Sequence, residues 1–261
     1  MNKRVIITGA SSGIGKTLAI RMKSLGYEVI GISRRNPDTD MDFYECDLSN
    51  VESIESFAER YIEEVGELDI LINCAGVGTG GAIEYNSYED ILWVHQVNVM
   101  GLIELTNKLL PLLKNSKGRI INVGSVAGEI AIPFQTIYSM TKASIMKYTE
   151  GLRMELKPFG VQVSTVLPGD TKTDFTGNRK TINPPNNAYY ERVDRSIKKM
   201  ENDEQNGVSP EKVAKLVLKL LRKKRMPIHR IVGIDYKILV FLSKILPKRF
   251  VELIIYNMYG K

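Results

Sequence analysis

The 261-residue sequence predicts a single doubly wound α/β domain: a mostly parallel sheet of seven strands with helices on both faces. Two observations carry that expectation. Short β-branched runs, apolar on both faces, alternate with longer amphipathic segments, as strands buried in a parallel sheet do. No linker, low-complexity tract or internal repeat divides the chain, and its length suffices for one well-buried core. The crossovers are expected to be right-handed.

The elements follow in order. Residues 5–8 read as a strand, 14–25 as a helix ending at Gly26, 28–33 as a second strand and 43–46 as a short third. Residues 51–65 place Val51, Ile54, Phe57, Ala58, Tyr61, Ile62 and Val65 at helical spacing. Strands at 69–73, 119–123 and 161–167 alternate with helices over roughly 97–114 and 136–157. Residues 170–207 are polar, carry Pro184-Pro185 and read as irregular. Ser209-Pro210, a cap followed by proline in the first turn, starts a helix running to about 224, and a last strand lies near 229–233. This assigns residues 1–235 to the domain. Residues 236–261 form an apolar and basic helical extension that Pro247 divides into two short helices.

Composition is that of a soluble globular protein, 43% hydrophobic and 25% charged. The net charge of +6 is concentrated late in the chain, at Lys198-Lys199, at residues 222–225, and at Lys237, Lys244, Lys248 and Arg249. Without an aromatic-rich basic repeat these read as solvated helix ends rather than a nucleic-acid surface. Two histidines and two cysteines without a CxxC pair are too few for a protein-built metal site, and a reduced cytoplasmic setting is expected. With the first strand so early no signal peptide is expected, and no apolar run approaches the ~20 residues of a spanning helix.

The candidate site begins at "TGASSGIG", residues 8–15, immediately after the first strand. In a doubly wound sheet this turn lies at the carboxyl edge, where ligands bind. The spacing Gly9-x3-Gly13-x-Gly15 is that of a tight strand-to-helix turn, or of a backbone that approaches a pyrophosphate closely at a helix N-terminus. Tyr138-Ser139-Met140-Thr141-Lys142 sets a tyrosine and a lysine one helical turn apart on one face. Ser125 follows the strand at 119–123, at the same edge.

Taken together, these motifs resemble the short-chain dehydrogenase/reductase family, over about residues 3–234. The family's glycine turn is matched by Thr8, Gly9, Ser11, Ser12, Gly13, Ile14 and Gly15, and its Asn-Asn-Ala-Gly motif by Asn73-Cys74-Ala75-Gly76, with Cys74 departing from the usual second asparagine. Asn98, Ser125, Tyr138 and Lys142 match its catalytic set, and Pro168-Gly169 with Thr171 and Thr173 its later cofactor loop. The resemblance implies a Rossmann-like fold and hydride transfer between a nicotinamide and a carbonyl or alcohol carbon. It also implies a Tyr138 acid/base whose pKa Lys142 lowers, a Ser125 that binds the substrate oxygen, and an Asn98 that holds a water linking Lys142 to solvent. Lys142 would also bind the nicotinamide ribose. Thr171 and Thr173 are read as carboxamide or pyrophosphate contacts, or as plain loop hydroxyls. Asp47 and Leu48 are read as adenine contacts, with Asp47 alternatively capping the helix that starts near Asn50.

Cofactor choice rests on the end of the second strand. An NAD enzyme places a carboxylate there for the ribose 2′-hydroxyl, whereas this chain has Ser33 followed by Arg34 and Arg35. A guanidinium makes a bidentate, charge-assisted contact with a 2′-phosphate, so NADP(H) is expected. The segment after Gly169 is expected to close over the substrate with Phe175, Ile182, Pro184, Pro185, Tyr189 and Tyr190, and the loop after Ser125 to add Ile130, Ile132, Pro133 and Phe134. These favour a lipophilic carbonyl or alcohol, ketone, hydroxysteroid-like or 3-oxo-lipid-like. A homo-oligomer, dimer or tetramer, is implied by the resemblance. The C-terminal segment packs on the domain or a partner subunit, or lies on a membrane surface. The competing function is a non-catalytic NADP(H)-binding regulatory or scaffold protein.

Overall fold

The computed structural model describes residues 3–36 and 41–261. Strands β1 (Arg4–Thr8), β2 (Glu28–Ser33), β3 (Asp42–Glu45), β4 (Ile70–Asn73), β6 (Arg119–Val123), β7 (Gln162–Leu167) and β9 (His229–Ile231) form one sheet in the order β3-β2-β1-β4-β6-β7-β9. Every pairing in it is parallel. Two short strands absent from the sequence reading, β5 (Thr79–Gly81) and β8 (Lys180–Ile182), make a separate parallel pair beside it.

The period-2 geometry of β1 shows why the sheet is covered twice. Val5 and Ile7 point into a core with Leu18, Ala19 and Met22 of α1 (Gly13–Ser24) and Val213, Ala214 and Val217 of α8 (Pro210–Leu221). Ile6 points the other way, into a core with Phe57 and Tyr61 of α2 (Val51–Glu64), Leu105 and Leu109 of α4 (Gly101–Asn115) and Leu152 of α5 (Thr136–Glu155). All three strand residues are fully buried, each worth about 1.5–3 kcal/mol of transfer free energy. The chain winds outward from β1 through β2 and β3, then returns to place β4 on the other side of β1. That reversal opens a crevice between the carboxyl ends of β1 and β4.

Two helical regions differ from the sequence reading. Residues 170–207 are not irregular. They contain α6 (Phe175–Asn178), β8 and the 16-residue α7 (Tyr190–Gln205). Only Val193, Ile197 and Met200 of α7, spaced i, i+4, i+7, are buried as apolar side chains, and this thin stripe is submerged in a polar segment. The helix expected from 97 starts earlier, as α3 (Tyr88–His95), and reaches α4 through a π-type turn at Gln96–Met100. The tail divides at Pro247 as expected, into α9 (Ile234–Ile245) and α10 (Lys248–Ile255).

Candidate active site

At the crevice, Thr8 closes β1 with its hydroxyl accepting from the backbone amides of Cys74 (2.9 Å) and Ala75 (3.0 Å). The turns after β1 and β4 are thereby clamped together. Because the clamp uses the Cys74 amide, the departure from asparagine at this position leaves it intact, and burial pushes the Cys74 thiol up to about 12. Close approach explains the glycines. Gly9 has φ +68° and a side chain there would meet Ala75 Cα at 2.9 Å, while a Cβ on Gly15 would lie 2.2 Å from the Gly9 carbonyl oxygen. The N-cap Ser12 makes no side-chain cap, the first turn of α1 holds no acidic residue, and the first amide to bond back into the helix is that of Lys16, to Ser12 at 3.0 Å. The amides of Gly13, Ile14 and Gly15 therefore face outward at a positive helix end, donors that fit a pyrophosphate.

The turn opens onto a cavity of about 660 Å³. Of the residues singled out from sequence, Gly9, Ser12, Gly13, Ile14, Gly15, Ala75, Gly76, Ser125, Tyr138, Lys142, Pro168, Gly169, Thr171 and Thr173 line it. Tyr138 and Lys142 project from α5 on one face. The Ser125 hydroxyl is within hydrogen-bonding reach of the Tyr138 phenol and also accepts from the Ala127 amide at 3.1 Å. Lys142 Nζ lies 5.5 Å from the Tyr138 ring centre and donates to the Val123 carbonyl at 3.1 Å.

The expected lowering of the tyrosine pKa by Lys142 is not what the protein alone provides. Burial outweighs the hydrogen bond from Ser125 and pushes the Tyr138 phenol up to about 12. Burial also brings the Lys142 amine down to about 8, because an ammonium there has lost its water. Burial thus favours the neutral form of both groups.

Other predicted residues sit behind or beside the cavity. The Asn98 side chain donates to the Val77 carbonyl (2.9 Å) and Thr141 hydroxyl (3.0 Å) and accepts from the Val77 amide (2.8 Å). Its side chain thereby positions the turn after Gly76. Asn73 is turned inward, donating to Thr106 (3.1 Å) and Asn122 (2.9 Å). Asp47 accepts from the amide and hydroxyl of Ser49, and Asn50 is the residue that caps α2, so the capping alternative for Asp47 falls away. Leu48 is buried, and Gly101 is needed because a Cβ there would lie 2.1 Å from the Leu48 carbonyl oxygen. The hydroxyls of Thr171 and Ser33 turn to local backbone, to Gly169 (3.0 Å) and Arg35 (2.6 Å). Ser11 stays outside the cavity. Arg34 and Arg35 are exposed just beyond Ile32, whose carbonyl accepts from Gly9 at 2.8 Å, so they flank the glycine turn from the β2 side.

Several cavity residues were not foreseen. Gln135, 6% exposed, lines the cavity, as do Asp170, Asp203 and Glu204, and Tyr236, Leu239, Ile255, Met258 and Tyr259 from the tail. Of the expected lid residues, Phe175 reaches the site, its ring centre 5.4 Å from that of Tyr138, whereas Ile182, Pro184, Pro185, Tyr189 and Tyr190 lie outside the cavity.

The family model for short chain dehydrogenases matches residues 3–183. The chain belongs to the short-chain dehydrogenase family. A 3-ketodihydrosphingosine reductase of Bacteroides thetaiotaomicron is 35% identical over 245 residues, covering 92% of this chain and 91% of that protein. The probable short-chain type dehydrogenase/reductase VdlC of Helicobacter pylori is 29% identical over 93% of this chain and 92% of its own. Among solved structures, a short-chain dehydrogenase from Streptomyces avermitilis superposes with a TM-score of 0.82 at 28% identity, covering 98% of this chain and 96% of that one. One from Burkholderia phymatum, in complex with NAD, shares the fold at 24% identity over 93% of each chain, with a TM-score of 0.81. As a member of the family, this short-chain dehydrogenase is an oxidoreductase acting on a CH–OH or carbonyl carbon of a small molecule, with NAD or NADP.

Proposed function

We propose that this short-chain dehydrogenase is an NADPH-dependent reductase of a long-chain ketone, the 3-keto group of a sphingoid base. The observation that carries the reading is the 35% identity to a 3-ketodihydrosphingosine reductase, spread over nearly the full length of both chains. The cavity supports it. Ile130, Ile132, Leu239 and Ile255 give it an apolar wall, and a second cavity of about 490 Å³ against α10 shares Ile130, Ile132 and Ile255 with it.

When bound, the reduced nicotinamide supplies a hydride to the carbonyl carbon. The chain's own groups do the rest. Tyr138 keeps its proton until negative charge develops on the substrate oxygen, then delivers it there. Ser125 donates a hydrogen bond to the same oxygen, an interaction that strengthens as the charge grows. Lys142 stabilises the resulting phenolate and binds the nicotinamide ribose, and Asn98 positions both through Val77 and Thr141. Gly9, Ser12, Gly13, Ile14 and Gly15 hold the pyrophosphate, with Asn73 and Thr8 bracing Ala75 and Gly76. Asp47 and Leu48 border the adenine, Pro168, Gly169, Thr171 and Thr173 the carboxamide, and Ser33, Arg34 and Arg35 the 2′-phosphate.

NADPH consumption with 3-ketodihydrosphingosine tests the reading. Turnover well above that with short ketones is expected. Turnover of short ketones alone would overturn the substrate, and none with any carbonyl would overturn the reaction.

A further inference from the structure

The helices that complete the cavity are apolar on the side facing away from it as well. In α9, Val240 is buried against the domain, while Ile234, Ile238, Phe241 and Ile245 stand outward at i, i+4, i+7 and i+11, each more than half exposed. A stripe with that spacing occupies one face of a helix, and a helix apolar on both faces is normally buried on both. In α10, Ile255 is buried while Phe250 and Leu253 are half exposed. A contiguous outward apolar surface of this kind marks an interaction site.

Charge selects the partner. Across residues 234–255 the cations Lys237, Lys244, Lys248 and Arg249 are set against only Asp235 and Glu252. Lys244 pairs with Glu129 at 3.0 Å, whereas Lys237, Lys248 and Arg249 make no ion pair among the described residues. A second copy docked through the same face by twofold symmetry would set these cations against themselves. An anionic bilayer complements both features: acyl chains take the aromatic and aliphatic side chains, and headgroups take the ammonium and guanidinium groups. Among the described residues no helix is long and apolar enough to cross a membrane, so the surface lies on the bilayer.

We propose that α9 and α10 dock this protein on an anionic lipid surface, with Phe241, Ile245, Phe250 and Leu253 inserted at the acyl boundary and Lys237 and Arg249 against the headgroups. The inner sides of the same helices, at Tyr236, Leu239 and Ile255, wall the reaction cavity, so docking sets the cavity beside the bilayer. This holds whichever ketone is reduced.

The test is flotation of the full-length protein on a density gradient with vesicles of phosphatidylcholine alone, or of phosphatidylcholine with phosphatidylglycerol. The protein is expected to float with the anionic vesicles at low salt and to partition less as salt rises. Phe241→Asp with Ile245→Asp should abolish flotation while NADPH binding persists. Lys237→Glu and Arg249→Glu, which leave the apolar packing untouched, should each weaken partitioning about fivefold or more. Wild-type protein left at the bottom with both vesicle types overturns the proposal. So does a double variant that floats like wild type, or one whose only change is a smaller assembly on size exclusion, which would assign the patch to a second copy.

Discussion

Lys142 donates to the carbonyl of Val123 at 3.1 Å, joining α5 to the last residue of β6 in a site where the lysine is 4% exposed. One hydrogen bond to a neutral carbonyl does not replace the water an ammonium loses, and the pKa falls from 10.5 to about 8. Between those values the unfolded chain holds the proton and the folded chain does not, so stability rises with pH there. Below about pH 8 both states are protonated and the folded protein bears the full penalty, about 3 kcal/mol. Lys142→Met is expected to flatten the rise in unfolding free energy between about pH 8 and 10 in urea titrations. Equal slopes in variant and wild type would assign that rise to other groups.

Tyr138 is predicted to be the proton donor because its phenol, pushed up to about 12 by burial, stays protonated across the working pH range. Tyr138→Phe removes one hydroxyl and leaves the ring against Phe175. Turnover should fall about 10²–10⁴-fold, the usual worth of a positioned acid. NADPH binding, followed by nicotinamide fluorescence, should survive. Retained turnover would mean that the proton comes from elsewhere.

Arg34 is exposed at the β2 edge of the glycine turn. Arg34→Glu replaces the proposed 2′-phosphate partner by a repelling carboxylate, and a charge-assisted contact is worth about 1.5–3 kcal/mol. The ratio of NADH to NADPH dissociation constants should therefore drop about tenfold or more. An unchanged ratio would remove Arg34 from the cofactor contacts.

Gly15 tests whether the glycine turn is structural as well as binding. A methyl group there would lie 2.2 Å from the Gly9 carbonyl, which is backbone and cannot rotate away. Gly15→Ala should cost about 1–3 kcal/mol by denaturant titration and weaken dinucleotide binding with it. Wild-type stability would show that the turn relaxes freely.

The sequence exposes the sheet well because each strand is a short apolar run covered on both faces, as Val5, Ile6 and Ile7 illustrate. The meeting of Tyr138 and Lys142 at the cavity was legible too, since they share one helix and their spacing alone sets them on one face. What stayed hidden is what comes from far along the chain. Nothing near Asp170 announces Tyr236, and α7 is disguised by its charged surface. Asn98 is a different case. Its position was readable, but the partners that consume its side chain, Val77 and Thr141, appear only once three segments converge.

Among the carboxylates that line the cavity, Asp170 is part-buried and held by a hydroxyl rather than by an ion pair. Asp203 is held by Lys199 at 3.0 Å and by the Tyr259 hydroxyl, and Glu204 by Arg179 and Thr176. Asp170 has no ion pair among the described residues. The Tyr236 hydroxyl donates to its Oδ2, its own amide donates back to that hydroxyl at 3.1 Å, and burial raises its pKa. Gly169 leaves the space in which the Tyr236 ring sits, since a Cβ there would approach the ring to 2.3 Å. A half-buried carboxylate of this kind gains from a cationic ligand, and a sphingoid 3-ketone carries an amino group beside the reacting carbonyl. If the proposed substrate is right, Asp170→Asn should raise KM for the amino ketone about tenfold more than for a neutral ketone of equal chain length, the worth of a charged hydrogen bond. The steady-state comparison is made with both ketones at saturating NADPH. Equal changes for the two would mean that Asp170 acts through Tyr236 on the cavity's shape and does not read the amine.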